Sequence, residues 1–162
     1  MDSWKYRLKL WLVIKYFGWL QIPVIGFCRP RFIQLNSEQC IIEIRLTRRT
    51  RNHLKAMYFG ALAVGAELSV AAVAFKDIVE KQLKIDALFK DFKVEFLKRA
   101  DGDVHFICNE VAKVSAFMQE AEKTNERMEI LIKGYAIVPS KSQEPIAHYQ
   151  LTLSVKNRAQ LK

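Results

Sequence analysis

From Met57 to Phe75 the chain is strongly apolar, and Glu67, near the middle, is its one charge. The run is too long for a strand and rich in Ala, which predicts a helix from about Tyr58 to Asp77. Shorter patterns flank it. Arg31–Leu35 and Cys40–Leu46 read as strands, the second with Ile42, Ile44 and Leu46 alternating against Glu43 and Arg45, and Asn36-Ser37 between them is a turn signal. Beyond the helix, Phe92–Lys98 alternates, with Val94 and Phe96 flanked by Lys93, Glu95 and Lys98. Asp101-Gly102 is a strong turn and Val104–Cys108 follows it as a strand. Val111, Val114, Phe117 and Ala121 then keep helical spacing, which predicts a helix from Glu110 to about Lys123 with Asn109 as its cap. Met128–Val138 and Ala147–Val155 read as two further strands around a polar loop, Pro139–Pro145.

At the N-terminus Ser3 can cap a helix to about Gly18, with Pro23 beyond it as a stop. Lys5, Arg7, Lys9 and Lys15 sit there among Trp4, Leu8, Trp11, Leu12 and Trp19. Lys15 interrupts the apolar run and no small-residue cleavage site follows, which argues against a signal peptide. The uncharged stretches are too short for a membrane span. Two readings stay open: a basic helix lying in a membrane interface through residues 4–20, or a helix packed on the body of the domain. The order of elements predicts an α+β fold, a mostly antiparallel sheet wrapped on one central helix. We divide the chain into an N-terminal helical extension, 1–28, and one domain, 29–162.

Composition narrows the class. A chain of 162 residues that is 51% hydrophobic, with 6 Gly and 4 Pro, can bury a real core and is globular rather than disordered. Lys and Arg outnumber Asp and Glu by 26 to 17, a net charge of +9. That balance suits nucleic acid, an anionic membrane surface or a phosphorylated small molecule; a role in solubility is equally open. No aromatic-interleaved basic face or known motif supports nucleic acid, so none is expected as a partner. Cys28, Cys40 and Cys108 form no CxxC pair and no His lies near them at ligand spacing, so we expect buried thiols of a reducing compartment and no metal. The expected location is the cytoplasm, or its membrane surface.

Glu67 is the chemical question. Ala63, Val64, Val70 and Ala71 lie one turn either side of it, and a helix apolar all round is buried. A lone buried carboxylate is costly and its pKa rises. Two readings are open: a carboxylate satisfied within the fold, or a general base or nucleophile in a pocket. Gly60 falls in the first turn of the same helix, where N–H groups lack intrahelical partners and the dipole is positive. It offers either an oxyanion site or close packing on the sheet. Seven residues separate Gly60 from Glu67, about 10 Å along a helix, too far for both to act on one carbonyl within a chain. Two antiparallel copies would bring one helix start beside the other helix middle, which predicts a symmetric dimer with composite sites.

Asn52, Tyr58-Phe59-Gly60 and Glu67, on the long helix of such a domain, resemble the hotdog-fold acyl-CoA thioesterases, in particular the phenylacetate-pathway (PaaI-type) branch and uncharacterised DUF-type hotdog domains related to it. The branch reads Asn, five residues, His-Gly-Gly, six residues, then Asp or Glu; Asn52, Gly60 and Glu67 fall at those spacings. LTRRTRNH before the helix and VEFLKRADGD after it also resemble the family. The likeness covers about Ile41 to Asp103 well and the last strands loosely. It implies a hotdog fold and hydrolysis of an acyl-CoA thioester with a fatty or aromatic acyl group at the interface of a homodimer, which could pair into a tetramer. Glu67 would be base or nucleophile, Asn52 would orient the water or carbonyl, and the Gly60 N–H, with that of Phe59, would polarise the thioester oxygen. Coenzyme A enters as part of the substrate, no separate cofactor being implied, and Arg48, Arg49, Arg51, Lys98 and Arg99 are candidates for its phosphates. Tyr58-Phe59 stands where His-Gly is usual, Lys55 where a small residue is common, and Phe89-Lys90 where some relatives carry a Ser or Thr that contacts the water. Phe59, Leu62, Phe89 and Phe96 are possible groove residues. A non-catalytic acyl- or lipid-binding hotdog protein is the alternative. His53 is read as a loop residue, and His105 and His148 are given no role.

Overall fold

The computed structural model describes residues 21–159. The predicted helix from Ser3 to Gly18 lies outside them. The described chain runs through α1 (Pro23–Cys28), β1 (Arg31–Leu35), β2 (Cys40–Ile44), α2 (Phe59–Glu80), β3 (Ile85–Phe96), β4 (Val104–Cys108), α3 (Val111–Glu122), β5 (Arg127–Val138) and β6 (Ser142–Asn157). All six strands form one antiparallel sheet in the order β1-β2-β4-β5-β6-β3. The long helix packs across β2, β4 and β5, and α3 lies against it. This is the α+β arrangement predicted from the order of elements.

Alternation along the strands explains the packing. Ile42 and Ile44 of β2 and Val104 and Phe106 of β4 are paired in register, and all four are buried under α2. Gly65 of α2 sits directly on Phe106: a Cβ there would lie 2.2 Å from the ring, so the missing side chain lets helix and sheet meet. A buried polar contact fixes the rotation of the helix. Tyr149 of β6 lies 2.8 Å from Ser69 Oγ and donates to the Ile107 carbonyl, while Ser69 donates to the Ala66 carbonyl. Gly134, opposite Tyr149 on β5, leaves room for the ring.

The edges of the elements depart from the sequence pattern for identifiable reasons. Pro23 opens α1, because at the first helical position its missing N–H costs nothing. Strand β2 stops at Ile44, since the Leu46 N–H is taken by Asp103 Oδ1 at 2.8 Å. Glu110, not Asn109, holds the N-cap position of α3, and its side chain makes no cap bond but accepts from Lys113 Nζ and the Lys133 N–H. Strands β3 and β6 both start earlier than their alternation predicts. The three cysteines are free and buried; burial pushes the thiols of Cys28, Cys40 and Cys108 up, that of Cys108 to about 11. The end of the expected N-terminal extension is built into the body, since α1 buries Ile25 and Cys28 in the common core.

Candidate active site

Helix α2 is not buried all round. Gly60, Ala63, Glu67, Ala71 and Phe75 keep helical spacing along a stripe that is only half-covered, while Val64, Gly65, Val70 and Val73 face the sheet. Ser69 and Gly65 lock the opposite face down, and that places Glu67 on the stripe. Among the described residues no hydrogen bond or ion pair engages the Glu67 carboxylate. Burial without a partner pushes it above the usual carboxylate range. The expectation of a fully buried carboxylate is therefore corrected: Glu67 is half-buried and unpaired.

Among the described residues strand β3 ends the sheet and pairs with β6 on one side only. Its inner face presents Ala87, Phe89, Phe92 and Val94, each partly buried against the core, and ends at exposed Phe96. Phe96 meets Phe59 edge to face, with ring centroids 6.0 Å apart.

Three loops converge on the start of α2. The Met57 N–H donates to the Ala100 carbonyl at 2.7 Å, which brings the Lys98–Arg99 loop alongside. Arg51 bridges to Met57, and the Tyr58 N–H donates to the Thr50 carbonyl. Thr50, buried in the basic turn, holds that turn together by donating to the Arg45 carbonyl and accepting from the Thr47 N–H. The chain thereby brings Arg51, Tyr58, Phe59, Gly60, Phe96 and Arg99 to one end of α2. The N–H groups of Phe59 and Gly60 make no hydrogen bond among the described residues, whereas Ala61 and Leu62 N–H both reach the Tyr58 carbonyl. These are two free donors at the positive end of a 22-residue helix. The Tyr58 ring lies over Gly60, its Cε1 2.7 Å from where a Cβ would stand.

Asn52 stands in the turn that leads into α2. Its Oδ1 accepts from the Leu54 and Ala56 N–H groups at 2.9 and 3.2 Å, closing the turn before the helix. Only its Nδ2 is left to donate, so Asn52 can hold an oxygen but not take a proton. Lys55 stands in that turn at φ 61, in the left-handed region where a small residue is the easier fit. Leu62 is a core residue and leaves the groove set. A bulge between Phe89 and Asp91 separates Phe89, on the inner face, from Lys90, which pairs with Glu129 at 2.7 Å on the outer one. Lys90 accordingly lies away from the candidate site. Lys98 is paired with Glu144. His53 is exposed in the Asn52 turn, and His105, which gave no sign of a partner in sequence, sits 3.5 Å from Glu43. Sequence reasoning passed over Thr50, hidden among arginines, and read Ala63 and Ala71 only as apolar neighbours of Glu67, not as part of a half-covered stripe. Among the described residues no cluster of His, Cys, Asp or Glu could hold a metal ion.

A long helix wrapped by an antiparallel sheet is the hotdog fold. Residues 12–155 match the model of DUF4442, a domain of unknown function, and the chain belongs to that family. A protein of unknown function from Chlorobaculum tepidum shares the fold with a TM-score of 0.79 at 11% identity, over 94% of this chain and 97% of its own. A thioesterase family protein from Silicibacter pomeroyi does so with a TM-score of 0.65 at 17% identity, over 88% and 94%. A thioesterase from Haemophilus influenzae does so with a TM-score of 0.66 at 12% identity, over 91% and 92%. At such identities the likeness is one of fold. A search of curated proteins finds no match.

Proposed function

We propose that this chain hydrolyses acyl thioesters of the acyl-CoA type, carrying a fatty or aromatic acyl group, at sites shared between two copies of the chain. The observation that carries the reading is Glu67: a half-buried carboxylate with no partner among the described residues, on a half-covered stripe of the helix whose own start offers two N–H donors free among those residues. The thioesterase names of fold neighbours support the class of reaction.

In this mechanism the Glu67 carboxylate takes a proton from water as the water oxygen attacks the thioester carbonyl carbon. A raised pKa suits that task, because a base works best when its pKa approaches the working pH. The developing oxyanion is held by the Phe59 and Gly60 N–H groups of the second copy, donors fixed in place before the reaction begins. Asn52 Nδ2 is free to hold the water or carbonyl oxygen. When the tetrahedral intermediate collapses the C–S bond breaks, and the thiolate takes the proton back from Glu67. The acyl group lies along Phe59, Phe89 and Phe96, and Arg51 and Arg99 meet the phosphates at the helix start.

One observation favours a second reading, a non-catalytic acyl- or lipid-binding protein: the Tyr58 ring lies over Gly60, where a thioester oxygen would approach. The two separate on a panel of acyl-CoAs assayed with a thiol-trapping reagent. The proposal expects turnover by the wild type and a loss of about 10²–10⁴-fold in kcat for Glu67→Gln, the usual worth of a positioned general base. Equal turnover by both proteins removes Glu67 from the chemistry, and binding without turnover in either leaves the second reading.

A further inference from the structure

We infer that the face formed by α1 and the basic turn Thr47–Arg51 docks on an anionic membrane surface. The inference stands apart from the thioester chemistry, and the side chains that test it, Val24, Phe27, Arg48 and Arg49, take no part in that mechanism.

Helix α1 buries Ile25 and Cys28 and turns its other large residues outward: Val24 is 54% exposed and Phe27 53%, with Ile22 at 41% just before them. A short helix that turns two large apolar side chains to solvent has a second surface to serve. Arginines frame it. The Arg49 guanidinium stands 5.7 Å over the Phe27 ring, which joins the turn to the helix. Thr50 ties the same turn to the start of α2, where Leu54 and Tyr58 are again exposed.

Arg45 pairs with Glu43 at 3.5 Å, while no ion pair among the described residues engages Arg48, Arg49, Arg51 or Lys55. Between Glu43 and Glu67 the chain carries Arg45, Arg48, Arg49, Arg51 and Lys55 and no acid. Large apolar side chains spaced among arginines match a lipid interface, where the apolar groups enter the acyl boundary and the cations meet anionic headgroups. A polyanion alone would leave Val24 and Phe27 without a purpose. The sequence leading directly into α1 has the same chemistry: residues 1–20 hold Trp4, Trp11 and Trp19 with Lys5, Arg7, Lys9 and Lys15 against a single acid, Asp2.

The test is sedimentation of the full chain with two kinds of vesicle, phosphatidylcholine alone and phosphatidylcholine mixed with phosphatidylglycerol. The wild type is expected to bind the mixed vesicles, to bind the neutral ones far less, and to weaken as salt rises. Val24→Ser with Phe27→Ser, both exposed and so compatible with folding, should weaken binding about tenfold or more, as expected for two large side chains withdrawn from the acyl boundary. Arg48→Glu with Arg49→Glu should weaken it as well and flatten the salt dependence. Three results overturn the inference: no binding by the wild type, equal binding to both vesicles, or a serine variant that sediments as the wild type does. In that last case a lowered melting temperature would assign the face to a cover within the chain itself.

Discussion

Glu67 shows how much one side chain can reveal when its surroundings offer it nothing. Its oddity was legible in sequence, because no other charge stands between Met57 and Phe75. Its half-exposure was not, because hydropathy marks a helix face as apolar whether its own sheet or a second molecule covers it. Asn52 was legible as a motif position, but the loss of its Oδ1 to the turn follows only from the backbone path of Leu54 and Ala56. The Glu67 carboxyl carries its own pH signature. Its folded pKa lies above the ordinary value of 4.5 through burial. The folded chain therefore holds this proton more tightly than the unfolded one. The stability it contributes is fully present below the unfolded value and is lost as pH rises through the folded one. Glu67→Gln removes that loss. Melting curves should show the variant gaining on the wild type as pH climbs from about 4.5 towards neutrality, and the gap between them constant at lower pH. A gap that does not change with pH would mean that the carboxyl holds its proton equally in the folded and unfolded chain, and one that moves the other way would mean that it is paired in solution.

At the scale of elements, short strands set off by turn signals were read well and long irregular ones were not. Val104–Cys108, which follows the Asp101-Gly102 turn, is β4 to the residue. Strand β3 was seen only from Phe92, because the bulge at Phe89/Asp91 places Phe89 and Phe92 on one face three positions apart and breaks the period of two. Strand β6 was seen only from Ala147, because Pro145 argues against a strand. It sits where the β5–β6 register slips, so its missing N–H removes no ladder bond there. The crossing of α2 over β4 was not legible at all, although Gly65 decides it. A Cβ at Gly65 would lie within 2.5 Å of three atoms of the Phe106 ring, and Phe106 is buried with no room to retreat. Gly65→Ala should therefore cost about 1–3 kcal/mol, the usual range for overpacking, despite the better helix propensity of Ala. Denaturant unfolding measures it, and an unchanged midpoint would mean that helix and sheet are not held this close.

For the whole molecule, the free edge of β3, the half-covered stripe of α2 and the distance from Gly60 to Glu67 all bear on one question. A long edge strand with an apolar inner face is a liability unless something pairs with it. A second copy related by a two-fold axis would extend the sheet through β3 and lay the stripes of the two helices together. The helix start of each copy would then stand near Glu67 of the other. Such a composite site makes a prediction that no single-chain site can share. Glu67→Gln removes the base, and Gly60→Val obstructs the N–H donors, so each variant alone should be inactive. Unfolded together and refolded as a mixture, about half of the dimers are mixed, and each of these carries one site with both defects and one with neither. Hydrolysis should return to about one quarter of the wild-type rate, since half of the dimers then work at one of two sites. A mixture as inactive as its components would place base and donors in the same chain, and the roughly 10 Å between them along one helix would leave the proposed attack without a geometry.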